Sequence, residues 1–281
     1  MGFFRLANWV KLSICLLPAL HFSGAIAADA GLDRAAESRA AGAEGTSEEG
    51  ARSAFEIGRD ALLAKDYATA YRSLRTAAEQ GDAQAQTALG GMYLAGQGVA
   101  ADDAEALGWY RKAAEQGDAE AQVSLGLMYA NGRGVARDDE AAVKWFRLAA
   151  EVEDPAAQNY LGVMYLEGRG VEKNEAEAAN LLQKAALHGE PQAQNNLGVL
   201  FRDGRGVEQD DAEAAYWFRN AAERGNALGQ YYLGVSYATG RGVIRDGEEA
   251  NKLLTSAAQQ GLDLAKDYLR AGGNISVKSG N

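Results

Sequence analysis

The sequence contains very little of what catalytic centres are usually built from. One cysteine, two histidines and three prolines are spread over 281 residues. Cys15 and His21 fall in the leading segment, so the rest of the chain has no thiol and a single histidine, His188. Without that leader a His/Cys metal cluster and an internal disulfide are both excluded. A Ser–His–Asp triad would have to use His188, which stands just before Gly189. The simpler reading is a surface residue near a helix C-terminus, where positive charge is favoured. No Ser-x-x-Lys motif is present. No catalytic residue, metal or cofactor is expected. Basic residues are outnumbered too, 28 against 39 acids, for a net charge of −11. Such a surface repels nucleic acid and anionic headgroups and leaves proteins as the expected partners.

Long apolar runs are also scarce. Leu12–Phe22 is apolar but short, and Pro18 and His21 interrupt it, so a spanning helix is not expected. With Arg5 and Lys11 as a positive region and Ala25-Ile26-Ala27 as a small–x–small pattern, residues 1–27 read as a secretory signal peptide cleaved after Ala27. The expected location is periplasmic or secreted, without stable membrane insertion. An uncleaved inner-membrane anchor is the alternative. Ile14 precedes Cys15, which argues against lipidation. Residues 28–50 are rich in Ala, Gly, Glu and Ser and read as a disordered acidic linker.

What the chain has in abundance is repetition. Leu-Gly recurs every 36 residues at Leu89, Leu125, Leu161, Leu197 and Leu233. Gly-x-Gly-Val keeps the same period from Gly96 to Val243, Ala-Ala recurs from 113–114 to 257–258, and Gln recurs at 86, 122, 158, 194 and 230. The units are 81–116, 117–152, 153–188, 189–224 and 225–260. Each reads as two helices. Helix A carries Leu89, Met92 and Tyr93 at helical spacing and stops at Gly96. Helix B opens on Asp102-x-x-Glu105, a capping-box pattern repeated at Asn174, Asp210 and Asp246, with Asp138 as a cap without the Glu. Because each Gly-x-Gly follows a helix rather than a strand, it is a repeat turn and not a phosphate cradle. The carboxylate pairs beginning at Asp102, Asp138 and Asp210 read as caps and dipole partners rather than acid/base or calcium groups. Residues 51–80 read as a shorter N-terminal capping pair, and 261–281 as a capping helix with a tail.

The pattern A-x-A-Q-x-x-L-G-x-x-Y-x-x-G-x-G-V, followed by D-x-x-x-A-x-x-W-[YF]-x-x-A-A, resembles the Sel1-like repeat, a relative of the tetratricopeptide repeat with a longer inter-helix loop. Five in-phase copies cover 81–260. Departures are Leu181 and Leu253 for Trp, Asn174 for Asp, Glu153-Asp154-Pro155 for the Gly-Asp/Asn opening, Phe201 for Tyr and Ser236 for Met. The resemblance implies an all-α fold, an α-solenoid of stacked helix-turn-helix repeats in a right-handed superhelix, acting as a protein-binding scaffold rather than an enzyme. Some cysteine-rich relatives are described as penicillin-binding or β-lactamase-like, but their cysteine pairs are missing here. Exported relatives assemble envelope complexes, restrain sensor kinases, support polysaccharide export or bind host proteins. An enzyme acting on cell-wall material is the remaining, weakly supported reading.

Two residue sets are candidate sites. Related solenoids bind with the concave face of helix A. The columns expected there vary between units, and Asn159, Asn195, Arg202 and Tyr231 are the candidates. Arg133, Arg169, Arg205 and Arg241 form a second set, one per loop, with Gln97 in the first. That ladder reads either as bonds to neighbouring loops or as a basic edge for an acidic partner or anionic polysaccharide.

Overall fold

The computed structural model describes residues 52–272; residues 1–51, where the signal peptide and acidic linker are expected, and residues 273–281 lie outside the described residues. Among those described there are thirteen helices and no strand. An opening pair, α1 (Ala54–Leu63) and α2 (Tyr67–Glu79), precedes the repeats. The A helices are α3 (Ala83–Ala95), α5 (Ala119–Asn131), α7 (Pro155–Glu167), α9 (Pro191–Asp203) and α11 (Ala227–Thr239). Their B partners are α4 (Asp103–Glu115), α6 (Asp139–Glu151), α8 (Glu175–Leu187), α10 (Asp211–Glu223) and α12 (Gly247–Gln259), and α13 (Asp263–Arg270) closes the series. The fold is an all-α solenoid of helix-turn-helix units. No described helix is long and apolar enough to cross a membrane.

Helix boundaries follow from side-chain chemistry. Asp102, Asp138, Asn174, Asp210 and Asp246 each accept from backbone N–H groups in the first turn of their B helix, which satisfies donors that the helix cannot. The complete reciprocal capping box is formed at Ser53 and Glu56, ahead of α1. Each A-to-B loop closes identically. The N–H of the cap residue donates to the carbonyl nine residues earlier, at Tyr93, Tyr129, Tyr165, Phe201 and Tyr237, over 2.9–3.1 Å.

The described residues form two compact units, 52–121 with 133–136, and 122–132 with 137–272. In the first, Leu74, Leu89 and Met92 are buried, with Phe55, Leu62, Tyr71 and Trp109 packed against them. The large B-helix residue packs back onto its own A helix. A Cβ at Gly90 would lie 3.0 Å from the Tyr110 ring, so glycine in the Leu-Gly pair is what admits that ring, and Tyr110 is fully buried. Tyr110 thus fills the gap within its own unit. In the second compact unit Phe146, Leu182, Phe218 and Leu254 hold the same position against Gly126, Gly162, Gly198 and Gly234. Its core continues through Leu197, Trp217, Phe218 and Tyr231 to α13, whose Tyr268 and Leu269 pack against it.

The repeated Gln joins successive units. Gln86, Gln194 and Gln230 are buried, and their Nε2 groups donate to the carbonyls of Ala78, Ala186 and Ala222, eight residues earlier. Those carbonyls sit in the last turn of the preceding B helix, where intrahelical donors run out.

Candidate binding surface

The arginine ladder has a regular geometry. Each arginine reaches back thirty residues to the first residue of the preceding B helix. In the first compact unit the Arg133 Nε donates to the Asp103 Oδ1 at 2.8 Å, and its Nη2 to the Leu94 carbonyl at 3.1 Å. In the second, Arg169 forks onto Asp139 at 2.7 and 3.3 Å and onto the Ala130 carbonyl at 3.3 Å. Arg205 reaches Glu175 at 3.0 Å, and Arg241 forks onto Asp211 at 2.8 and 3.2 Å. Burial pulls the Asp139 carboxyl upward, but Arg169 and Arg137 outweigh it and hold it at about 2. The glycine after each arginine serves the same joint. A Cβ at Gly134, Gly170, Gly206 or Gly242 would overlap the carbonyl oxygen of Asp103, Asp139, Glu175 or Asp211. The signature loop thus clamps one residue of the previous unit through its backbone and its side chain.

Of the four residues expected on the concave face, three are buried. Asn159, Asn195 and Tyr231 are 2%, 1% and 2% exposed. Helix α9 touches both α7 and α11, so positions on its flanks are covered by the neighbouring A helices. Asn196 donates to Asn159 at 3.0 Å, and Asn195 donates to Asn196 at 3.5 Å. Tyr231 lies edge-on to Tyr268 of α13, with ring centroids 6.2 Å apart, and burial pushes its hydroxyl up to about 12. These three side chains are inter-unit packing, and only Arg202 of the four keeps accessible surface.

Arg202 borders a cleft that the sequence pattern did not expose as such. It is lined by Arg202, Phe218, Tyr232, Val235, Ser236 and Arg241, among others, and holds about 50 Å³. Two departures from the repeat line it. Ser236 stands where Met92, Met128, Met164 and Leu200 are buried to 0–1% exposure. Arg202 stands where Leu94, Ala130, Leu166 and Ala238 are buried. Its guanidinium lies 4.9 Å from the Tyr232 ring centroid and forks onto Asp203 at 2.7 and 2.8 Å. The sequence signal was Ser236 itself, a small polar residue in a column of three methionines and a leucine.

The family pattern described as Sel1 repeat matches residues 83–118, 119–154, 155–190, 191–226 and 227–262. The chain is a Sel1-repeat protein. Its match windows start two residues later than the units read from the sequence, with the same period. A solved Sel1 repeat protein from Oxalobacter formigenes is 33% identical, with a TM-score of 0.75 over 82% of this chain and 93% of that one. A protective antigen present in uropathogenic Escherichia coli strains, displaying an SLR fold, is 36% identical with a TM-score of 0.69. That alignment covers 87% of this chain and 52% of the antigen, so this chain spans about half of it. A putative Sel1 repeat protein from Klebsiella pneumoniae, 23% identical with a TM-score of 0.50 over 73% of this chain and 99% of that one, shares the fold. No curated protein matches the chain. Sel1 repeats generally serve as protein–protein interaction scaffolds. Among the described residues no group of three or more His, Cys, Asp or Glu side chains is placed to hold a metal ion.

Proposed function

We propose that this Sel1-repeat protein is exported and works as an adaptor that assembles or regulates a bacterial envelope complex. The observation that carries the reading is a fixed frame of five family-matched repeats whose accessible positions differ from unit to unit. Unlike columns over a constant scaffold suit an irregular protein partner better than a repeating polymer. The leader, with Arg5, Lys11 and Ala25-Ile26-Ala27, supports export to the periplasm or beyond. The acid excess disfavours nucleic acid. The arginine ladder supports the scaffold by holding its loops and is not assigned as a ligand edge.

A second reading, a secreted factor that binds a host protein, is favoured by one observation: a 36% identical relative is described as a protective antigen. Fractionation with N-terminal sequencing separates the two. A mature form that begins at Ala28 and stays with the cell envelope is the expected result. Accumulation in the medium supports the host-directed reading, and a form that retains Met1 in the inner membrane removes cleavage from the account.

A further inference from the structure

The chain has an excess of acid, yet one face of its B helices holds none. In the second compact unit Phe146, Leu182, Phe218 and Leu254 turn inward against the glycines of their A helices, which fixes the same rotation for all four B helices. The outward positions are then 144, 147 and 148 of α6, with their equivalents on α8, α10 and α12 at steps of 36 residues. Lys144, Arg147, Lys184, Arg219 and Lys252 stand among these positions, and no Asp or Glu does. All five are exposed, so a basic band crosses four helices of a protein whose net charge is −11.

Most of that charge is not neutralised. The Arg147 Nη2 donates to the Tyr165 hydroxyl at 3.4 Å, and the Arg219 Nη2 to the Tyr237 hydroxyl at 3.1 Å. The Lys144 ammonium lies 5.9 Å from the Trp145 ring centroid. A phenol or an indole holds a cation in place and leaves its charge intact. Among the described residues only Lys252 of the band pairs with a carboxylate, that of Glu249 at 3.3 Å. The tyrosine tether belongs to the arginine, for where Gln183 replaces the one, Phe201 replaces the other.

Acids border the band on both sides, Glu140 and Glu248 in the turn before it and Glu151 and Glu223 in the turn after. A flat anionic bilayer would meet those borders together with the band, whereas one extended chain laid across the helices meets the cations alone. Leu148 and Tyr216 are 37% and 51% exposed within the band, and Asn180 and Gln183 add amides. That mixture suits unlike side chains and a peptide backbone better than a run of identical anionic sugars. We propose that the band is a docking track for an acidic segment of the partner protein, extended across α6, α8, α10 and α12. Its Asp or Glu side chains meet Arg147, Lys184 and Arg219 through charge-assisted bonds, and its apolar ones meet Leu148 and Tyr216. Because Tyr165 and Tyr237 already hold the two arginines, less side-chain freedom is lost on binding. The track rests on the adaptor reading above and specifies what the partner presents.

The test is calorimetric titration of the full chain, at low ionic strength, with a twelve-residue peptide of Asp, Glu, Leu and Gly and with its Asn/Gln counterpart. The acidic peptide is expected to bind at least tenfold more tightly than the amide form, and to weaken as salt rises. Lys144→Asn, Arg147→Gln, Lys184→Asn and Arg219→Gln each copy a sister unit, and together should weaken it at least tenfold. The lysine pair alone breaks no hydrogen bond and should weaken it at least threefold at an unchanged melting temperature. Lys266→Gln with Arg270→Gln removes the same charge from α13, off the band, and should leave affinity within twofold. Equal binding by the lysine pair, an equal loss in the α13 pair, or no binding of the acidic peptide at millimolar concentration would each overturn the track. Tighter binding to phosphatidylglycerol vesicles or to polygalacturonate than to the peptide would also overturn it, in favour of a membrane or a polysaccharide. A purified envelope partner that binds wild type and the lysine pair alike, with the peptide silent, overturns the track and leaves the adaptor reading intact.

Discussion

Arg169 and Asp139 show how much a single residue pair does in this chain. Asp139 begins α6, faces the positive end of its helix and accepts from Arg169 and Arg137. Arg169→Ala should therefore cost about 1 kcal/mol of stability, read as a lower denaturation midpoint. The pH dependence has a definite sign. Asp139 is held below its ordinary value, so its contribution is complete above about pH 4 and is lost as the pH falls towards 2. Asp139→Asn should be less stable than wild type at pH 6 and should converge with it in acid. Tyr231 makes the opposite point. It is packed under α13, so Tyr231→Ala should lower stability by about 3 kcal/mol. A thermal melt unchanged by that substitution would contradict the packing described for α13.

The ladder was legible in the sequence, which left open whether it holds neighbouring loops or forms a basic edge. Every arginine has an acid thirty residues before it, and Gln97, the one rung without an arginine, has Tyr67 there instead. Loss of the cation together with loss of the acid marks a joint between units rather than an external ligand. The burial of Asn159, Asn195 and Tyr231 was not legible, because variation between units looks alike whether a position faces solvent or a neighbouring A helix. The clue lay in the pairs themselves. Asn159 meets Asn196 thirty-seven residues on, and Tyr231 meets Tyr268 at the same interval.

At the scale of the element, caps and glycines set where helices begin, end and touch. The capping-box spacing located the B helices, although at Asp102, Asp210 and Asp246 the bonds recorded run from backbone N–H groups to the cap oxygen. Glycine at 242 is required by contact, since a Cβ there would run into the Asp211 carbonyl. Two A-helix caps carry an electrostatic cost. Burial raises the Asp154 carboxyl, and burial with the Asp154 charge raises Glu190. A raised carboxyl destabilises the ionised folded state, and asparagine caps as well as aspartate. Asp154→Asn should therefore melt higher than wild type at pH 7, with the difference fading near pH 3 as the wild-type carboxyl takes up its proton. A lower melting temperature at pH 7 would mean that the charge on the α7 dipole outweighs its desolvation.

For the molecule as a whole, the repeat period made the fold readable before any coordinates, because a unit that cannot close its own core must stack. The cleft beside Ser236 was only half readable: the sequence shows the missing methionine but not which residues of the preceding unit line the gap. The chain combines a frame that holds it together with accessible positions that differ from unit to unit. The most direct test is the affinity of a purified partner, captured with the full chain from envelope extracts, for wild type and for Arg169→Ala. The account predicts saturable binding of equal affinity in both, with the variant melting at a lower temperature. Binding lost in Arg169→Ala at an unchanged melting temperature would make the ladder the binding edge and contradict it.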